Sequence, residues 1–292
     1  MSFLLPTQIL VYGITTGALY GLAAAGLSLV FGVMKMLNVA HGSLIMLGAY
    51  AVFWLFSLAH IDPILSLPIV GLFFFLIGTI LYLLMFSFTA RLSEENRIKN
   101  SLLISFGLML VFENIAILLW TADERSISSF YSGKAFDIFG VRIPFVGLGG
   151  IALSIIVILL LNLFLNKTDF GRSIKAAAED WETASLMGVN TNLIYLVSFA
   201  LGVALAGIAS ILCGVTYAIS PNIGLEWTNK SLIILVLAGL GNIGRVFSAG
   251  LLLGVVEAIS VLFVSSSYRE VVGLVIFISV LALKPEGFFS KR

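Results

Sequence analysis

Along this chain, long apolar runs alternate with short polar breaks at a spacing too coarse for a soluble fold. A helix needs about 20 mostly apolar residues to cross a bilayer. Such runs fall at residues 8–34, 42–60, 64–90, 101–120, 144–166, 193–218, 228–244, 249–266 and 270–283. The last two are short, which predicts tilted, broken or re-entrant helices there. The pattern predicts an all-α integral membrane protein, a bundle of about eight or nine transmembrane helices. No break is long enough or Ser/Gly-rich enough to act as a linker, so residues 1–292 are expected to form a single membrane domain.

The break at residues 168–191, TDFGRSIKAAAEDWETASLMGVNT, stands out because it is polar yet helix-forming. Its alanines favour helix, Gly188 is placed as a C-terminal stop, and Asn190 or Thr191 can cap the span that follows. The predicted short helix carries Glu179, Asp180 and Glu182 beside Trp181, Leu186 and Met187. Anionic lipid would repel such a face, whereas a groove on a basic protein partner would suit it.

Composition agrees with the pattern: 60% hydrophobic residues, 11% charged and a mean hydropathy of +1.13 exclude an ordinary soluble domain. The net charge of +1 gives no basic excess for nucleic acid, and one cysteine, Cys213, gives no disulfide framework. No basic n-region precedes the first apolar residues, so the first span is expected to act as its own insertion signal, with the mature chain starting at Met1. With residues 168–191 placed in the cytoplasm, eleven of the sixteen Lys and Arg residues fall inside: Lys35, Arg91, Arg97, Lys99, Lys167, Arg172, Lys175, Arg245, Lys284, Lys291 and Arg292. Arg125, Lys134, Arg142, Lys230 and Arg269 fall outside. The positive-inside rule then predicts an external N-terminus, a cytoplasmic C-terminus and an odd number of crossings, either nine or eight plus a re-entrant element.

Small residues four apart, Gly13, Gly17 and Gly21 in the first span and Gly202, Ala206 and Ser210 in the sixth, predict close helix packing. Polar groups inside the spans are few. Glu113 and Asn114 sit mid-span in GLMLVFENIAILLW, where an unpartnered ionisable group costs at least about 2.5 kcal/mol, so Glu113 is expected to face the bundle interior. Glu257 raises the same choice between a polar lock and a pathway-lining group. In KMLNVAHGS, Asn38, His41 and Ser43 suit a chain turn near the membrane surface and also leave a pathway role open. No second ligand accompanies His41 at metal-site spacing, and the glycines of AGLGNIGRVFSAG lack the Gly-Lys-Ser/Thr ending of a nucleotide loop, so a tight cytoplasmic turn is expected there. No catalytic set appears, and the chain is expected to be neither an enzyme nor a holder of metal or cofactor.

ETASLMG, residues 182–188, resembles the EAA motif of ABC-importer permeases, with Thr183 in place of an alanine and without the usual Leu-Pro tail. The longer string GRSIKAAAEDWETASLMGVNT resembles branched-chain amino acid transport permeases, specifically the shorter of the two permease subunits. The same holds for GALYGLAAAGLSLVFGVMKMLNVAHGSLIMLGAYA, AGLGNIGRVFSAGLLLGVVEA and LALKPEGFF. The resemblance implies a multi-pass protein of the prokaryotic cytoplasmic membrane that forms a pathway with a second homologous permease. It also implies two cytosolic ATPase subunits, which hold ATP and Mg, and an extracytoplasmic solute-binding protein. It further implies that Glu179, Asp180, Trp181, Glu182, Thr183, Ala184, Ser185, Leu186, Met187 and Gly188 form a coupling helix seated on an ATPase. Related permeases carry urea, short amides and sugars, and an ion-coupled secondary transporter built on Glu113 and Glu257 is the reading from another class.

Overall fold

The apolar runs fold as helices, and the computed structural model describes residues 4–138, 140–265 and 268–284. Lys291, Arg292 and the Pro285–Phe289 part of the LALKPEGFF string lie outside the described residues. The helices are α1 (Leu4–Met34), α2 (His41–Ala59), α3 (Leu67–Leu81) with a π turn at Tyr82–Phe86, α4 (Glu94–Trp120), α5 (Phe145–Lys167), α6 (Asp169–Glu179), α7 (Trp181–Leu186), α8 (Thr191–Thr216), α9 (Ile223–Ala238), α10 (Val246–Ser260) and α11 (Arg269–Leu283). Among the described residues, seven helical segments are long and apolar enough to cross a membrane. The chain is an all-α integral membrane bundle. At 16 and 15 residues, α9 and α11 are shorter, about 24 and 22 Å at 1.5 Å per residue, less than the hydrocarbon thickness of about 30 Å.

Successive connections fall on alternate ends of the bundle. At one end Gln8 and Arg142 exchange 2.8 Å hydrogen bonds, Arg125 pairs with Ile219 in an isolated β-bridge, and Tyr131 bonds Asp62 at 3.2 Å. This end also carries a small antiparallel hairpin, β1 (Ala135–Ile138) with β2 (Val141–Pro144), which the apolar pattern does not predict. At the other end lie Lys35, α6 and α7, and the glycine turn at 239–245, where Gly239 and Gly241 have φ of 87° and 85°.

The core is built on α1 and α8. The predicted small-residue packing is present, and it joins α1 to α10: a Cβ on Gly17 would lie 2.8 Å from Gly250 O and from Leu251 Cα, so the two backbones touch where glycine allows it. Gly26 of α1 meets Gly202 of α8 in the same way. By contrast, α4 buries a narrow stripe of its surface, Arg97, Ser101, Ser105, Leu108, Met109 and Ala116, and turns the rest outward.

Candidate functional site

Residues 168–191 form two helices rather than one. Asp180 adopts an extended conformation, φ −152° and ψ 102°, which ends α6 and starts α7. Its carboxylate accepts hydrogen bonds from the backbone of Glu182 (3.0 Å) and Thr183 (3.1 Å) and from the Thr183 hydroxyl (2.5 Å), an N-cap for α7. These bonds favour the charged form and hold the Asp180 carboxyl below its ordinary value. The far end is closed by a Schellman motif on the predicted stop: Gly188 has φ 89°, Val189 N–H donates to Ala184 O (3.1 Å) and Gly188 N–H to Ser185 O (3.0 Å). Asn190 then caps α8 through Leu193 N–H at 3.2 Å. The element is thus rigid at both ends.

Its two faces differ sharply. Gly171, Ile174 and Ala177 of α6 and Ala184 of α7 are buried against the bundle. Leu186 and Met187 are 87% and 81% exposed, and Glu179, Asp180, Glu182, Thr183 and Ser185 are exposed around them. Two large apolar side chains ringed by acids and hydroxyls are therefore held out from the protein. Beside α6 a cleft of about 620 Å³ opens between Lys35, Asn166, Lys175, Glu179 and Asn242.

Asn38, His41 and Ser43 are not on a surface turn. All three are buried, because after Met34 the chain turns back into the bundle as an irregular segment. His41 Nε2 donates to Ala23 O at 2.8 Å, a level eleven residues, or about 16 Å, back along α1 from Met34. Backbone groups that are not in a helix must be satisfied at this depth. Asn38 Oδ1 accepts from Ala40 N–H (3.1 Å), the Ser101 hydroxyl from Leu37 N–H (3.0 Å) and the Ser105 hydroxyl from Val39 N–H (3.0 Å). Thr228 Oγ1 donates to Val39 O (2.8 Å) and accepts from Gly42 N–H (3.0 Å). Asn38 Oδ1 and His41 Nε2 thus bond to the protein's own backbone.

Glu257 is fully buried and ion-paired. It accepts from Lys230 Nζ (2.6 Å), Arg269 Nε (3.1 Å) and Tyr20 Oη (3.1 Å), while Arg269 also donates to Tyr12 Oη (3.1 Å) and Tyr20 Oη (3.0 Å). One carboxylate therefore joins α1, α9, α10 and α11. Lys230 lies within the expected span, 4% exposed on α9, and is neutralised by an acid 27 positions away.

Glu113 departs from expectation in the opposite sense. It is half-exposed on the outer side of α4, Asn114 is exposed, and no described residue donates to the Glu113 carboxylate. The reason is helical phase. Arg97, Ser101 and Ser105 at four-residue spacing take the inward face, which carries Glu113 about 100° and Asn114 about 200° away from Phe112 on that face. The Asn114 amide donates to Leu110 O of its own helix (2.8 Å).

Among the described residues no group of three His, Cys, Asp or Glu side chains could hold a metal ion. The residue that sequence reasoning missed is Arg97, counted there as a loop cation. It is 2% exposed and donates to Met34 O (3.1 Å), Tyr195 Oη (3.2 Å), Ala90 O (3.1 Å) and Leu92 O (3.2 Å), with Trp181 of α7 5.6 Å from its guanidinium. The signal was present in the chain, as three polar residues spaced by four at the start of a span.

The chain is similar to the permease protein BraD of the high-affinity branched-chain amino acid transport system of Pseudomonas aeruginosa, 30% identical over 97% of this chain and 95% of the relative. It is similar also to the LivH permease protein of the corresponding Salmonella typhimurium system, 29% identical over 99% and 97%. A more distant likeness, 26% identity over 62% of this chain, is to the L-arabinose transport system permease protein AraH of Escherichia coli. No solved structure matches. The family model described as branched-chain amino acid transport system, permease component, matches residues 9–281, and the chain belongs to that family.

Proposed function

We propose that this chain is one of two permease subunits of an ABC importer for branched-chain and other hydrophobic amino acids, powered by ATP hydrolysis on separate cytosolic subunits. The α6–α7 end faces the cytoplasm, in keeping with the basic residues it gathers, and the hairpin end faces an extracytoplasmic solute-binding protein. The observation that carries the reading is the α6–α7 element. It is fixed by two caps and seated on the bundle by Ile174 and Ala177, yet it holds Leu186 and Met187 out as an unpartnered anchor with acids around it. A groove between basic residues on an ATPase buries such an anchor, whereas an anionic lipid surface repels its rim.

Closure of the ATPase dimer would push this element, and the push biases a bundle with outward and inward states. Glu113 and Asn114, turned outward on α4, border the pathway shared with the second permease, where water or a partner donor relieves the cost of polar groups in hydrocarbon. Asp180, Glu182, Thr183 and Gly188 shape the coupling surface, and Glu257 acts as a lock that holds helices together.

Copurification tests the reading. Tagged wild-type chain is expected to bring down ATPase subunits, and Leu186→Asp with Met187→Asp to lose them while still assembling in the membrane. Failure to recover any ATPase with the wild type, or flux through the purified chain driven by a proton or sodium gradient, would overturn it. An uptake panel of leucine, isoleucine and valine against urea, short amides and arabinose then assigns the substrate class.

A further inference from the structure

The α6–α7 element touches the membrane bundle at a second kind of contact, distinct from the apolar seat of α6. The guanidinium of Arg97 lies 5.6 Å from the ring centroid of Trp181, the first residue of α7, and 5.5 Å from that of Tyr195 on α8. Trp181 is 41% exposed and Arg97 2% exposed, so this pair joins the outer element to the interior. Among the described residues no carboxylate pairs with Arg97. Its acceptors are three backbone carbonyls and one phenol. Met34 O belongs to the last residue of α1, and Ala90 O and Leu92 O to the 3-10 turn at Thr89–Arg91 and its end. Helix C-termini carry partial negative charge and unsatisfied carbonyls, so one planar cation with five donors caps two chain ends at once.

Above Arg97 on the same face of α4 stand Ser101 and Ser105, and the three grip consecutive points of one stretch: Met34 O, Leu37 N–H and Val39 N–H. That stretch is the irregular segment which runs from the end of α1 back into the middle of the bundle. An ordinary loop would satisfy its backbone with water. This one is held by a ladder of side chains on α4, with Thr228 of α9 bonded to Val39 O at its inner end, and the bottom rung of that ladder touches α7.

We propose that Arg97 is the positioning residue that carries movement of the α6–α7 element into the bundle: Trp181 displaces the guanidinium, and the guanidinium shifts the Met34 end of α1 together with the Lys35–Ala40 segment clipped to Ser101 and Ser105. The proposal rests on α6–α7 being the coupling element. It predicts a loss of coupling rather than a loss of substrate or nucleotide binding.

The test uses the whole transporter, this chain with its partner permease, ATPases and binding protein, in proteoliposomes with radiolabelled leucine. Arg97→Lys keeps the charge but not the planar fork, and Trp181→Leu keeps bulk but removes the cation–π face. Each is expected to lower leucine moved per ATP hydrolysed about tenfold, with ATPase subunits still bound, and the double variant to be no worse than the poorer single. Trp181→Phe restores a ring face and is expected to recover part of the ratio. A wild-type ratio in either folded variant, or effects that multiply in the double, would overturn the proposal. If Arg97→Lys does not assemble, Trp181→Leu against Trp181→Phe decides alone, because both lie on an exposed element; equal ratios for the two refute the joint. The Leu186→Asp, Met187→Asp variant separates the two levels. If it still binds ATPase, the coupling reading fails, whereas if it loses ATPase while Arg97→Lys couples normally, only the role of Arg97 fails.

Discussion

The Schellman cap on α7 offers the cleanest test of whether that short helix transmits force. Gly188 sits at φ 89°, and a Cβ added there would meet nothing within 4 Å, so any effect of substitution comes from backbone conformation and not from a clash. A left-handed residue other than glycine costs about 1 kcal/mol, and a β-branched one about 2 kcal/mol or more. Those costs shift the ratio of capped to uncapped α7 about fivefold for Gly188→Ala and about thirtyfold for Gly188→Val. Gly188→Asn, whose side chain tolerates this region, should sit nearest to wild type. Because α7 buries Ala184 alone among its six residues, the thermal midpoint of the membrane bundle should barely move. Uptake per ATP hydrolysed in proteoliposomes should therefore fall in the order Gly, Asn, Ala, Val at constant bundle stability. The reasoning is refuted if Val couples as well as Gly, or if uptake falls only in step with the melting temperature.

Glu257→Leu strands one buried cation, Lys230, and one partly buried cation, Arg269, and should cost about 3–5 kcal/mol, seen as a lower thermal midpoint in detergent. Adding Lys230→Met should recover part of that loss, and a double variant no more stable than the single would count against the lock. Gly17→Val drives a branched side chain into the backbone of Gly250 and Leu251 and should destabilise the bundle by about 1–3 kcal/mol or more, read by the same thermal assay, whereas Gly107→Ala, on an open face of α4, should be neutral or stabilising. Glu113→Leu should leave the isolated chain as stable or more stable, because its carboxylate has no donor among the described residues, yet lower leucine uptake in the assembled transporter; normal uptake would remove it from the pathway. The Asp180 cap has its pKa lowered by bonds to the charged form, so its contribution is complete above the ordinary carboxylate value and is lost only as the pH falls through the lowered one; coupling should therefore be insensitive to Asp180 titration near neutrality.

What the chain revealed in advance was local. Gly188 as a stop, Asn190 as a cap and Gly17 at a helix contact are written in residue type and short spacing, and each is where the helical code puts it. Relations that need a third dimension were not legible. Lys230 fell inside the apolar window that opens at residue 228, but the acid that neutralises it lies on another helix and could not be read from spacing. The orientation of Glu113 depends on which face of α4 is buried, and the cue to that face, Arg97–Ser101–Ser105, was hidden because α4 begins at Glu94, well before its apolar run. Asn38 and His41 gave a turn, but not that the turn folds inward, since its hydrogen-bond partners Ser101, Ser105 and Thr228 come from α4 and α9.

These pieces give α1 a part that no single site has. Its 31 residues run from Tyr12 and Tyr20, which brace Arg269 and Glu257, through Gly17 on α10 and Gly26 on α8, to Met34 O on Arg97. An α-helix packed backbone to backbone over this length does not bend freely, because its neighbours leave no space for a side chain to shift. A push at Met34 therefore reaches Tyr20, about 21 Å away, as a displacement of the whole rod. The Glu257 lock stands where that displacement arrives. A network of one carboxylate held by two cations and a phenol has discrete partners, and a two-state element at this point would need those partners to exchange. On this argument the lock and the Arg97 joint are the two ends of one lever, and weakening the lock should change the energy needed at the joint even though no residue touches both.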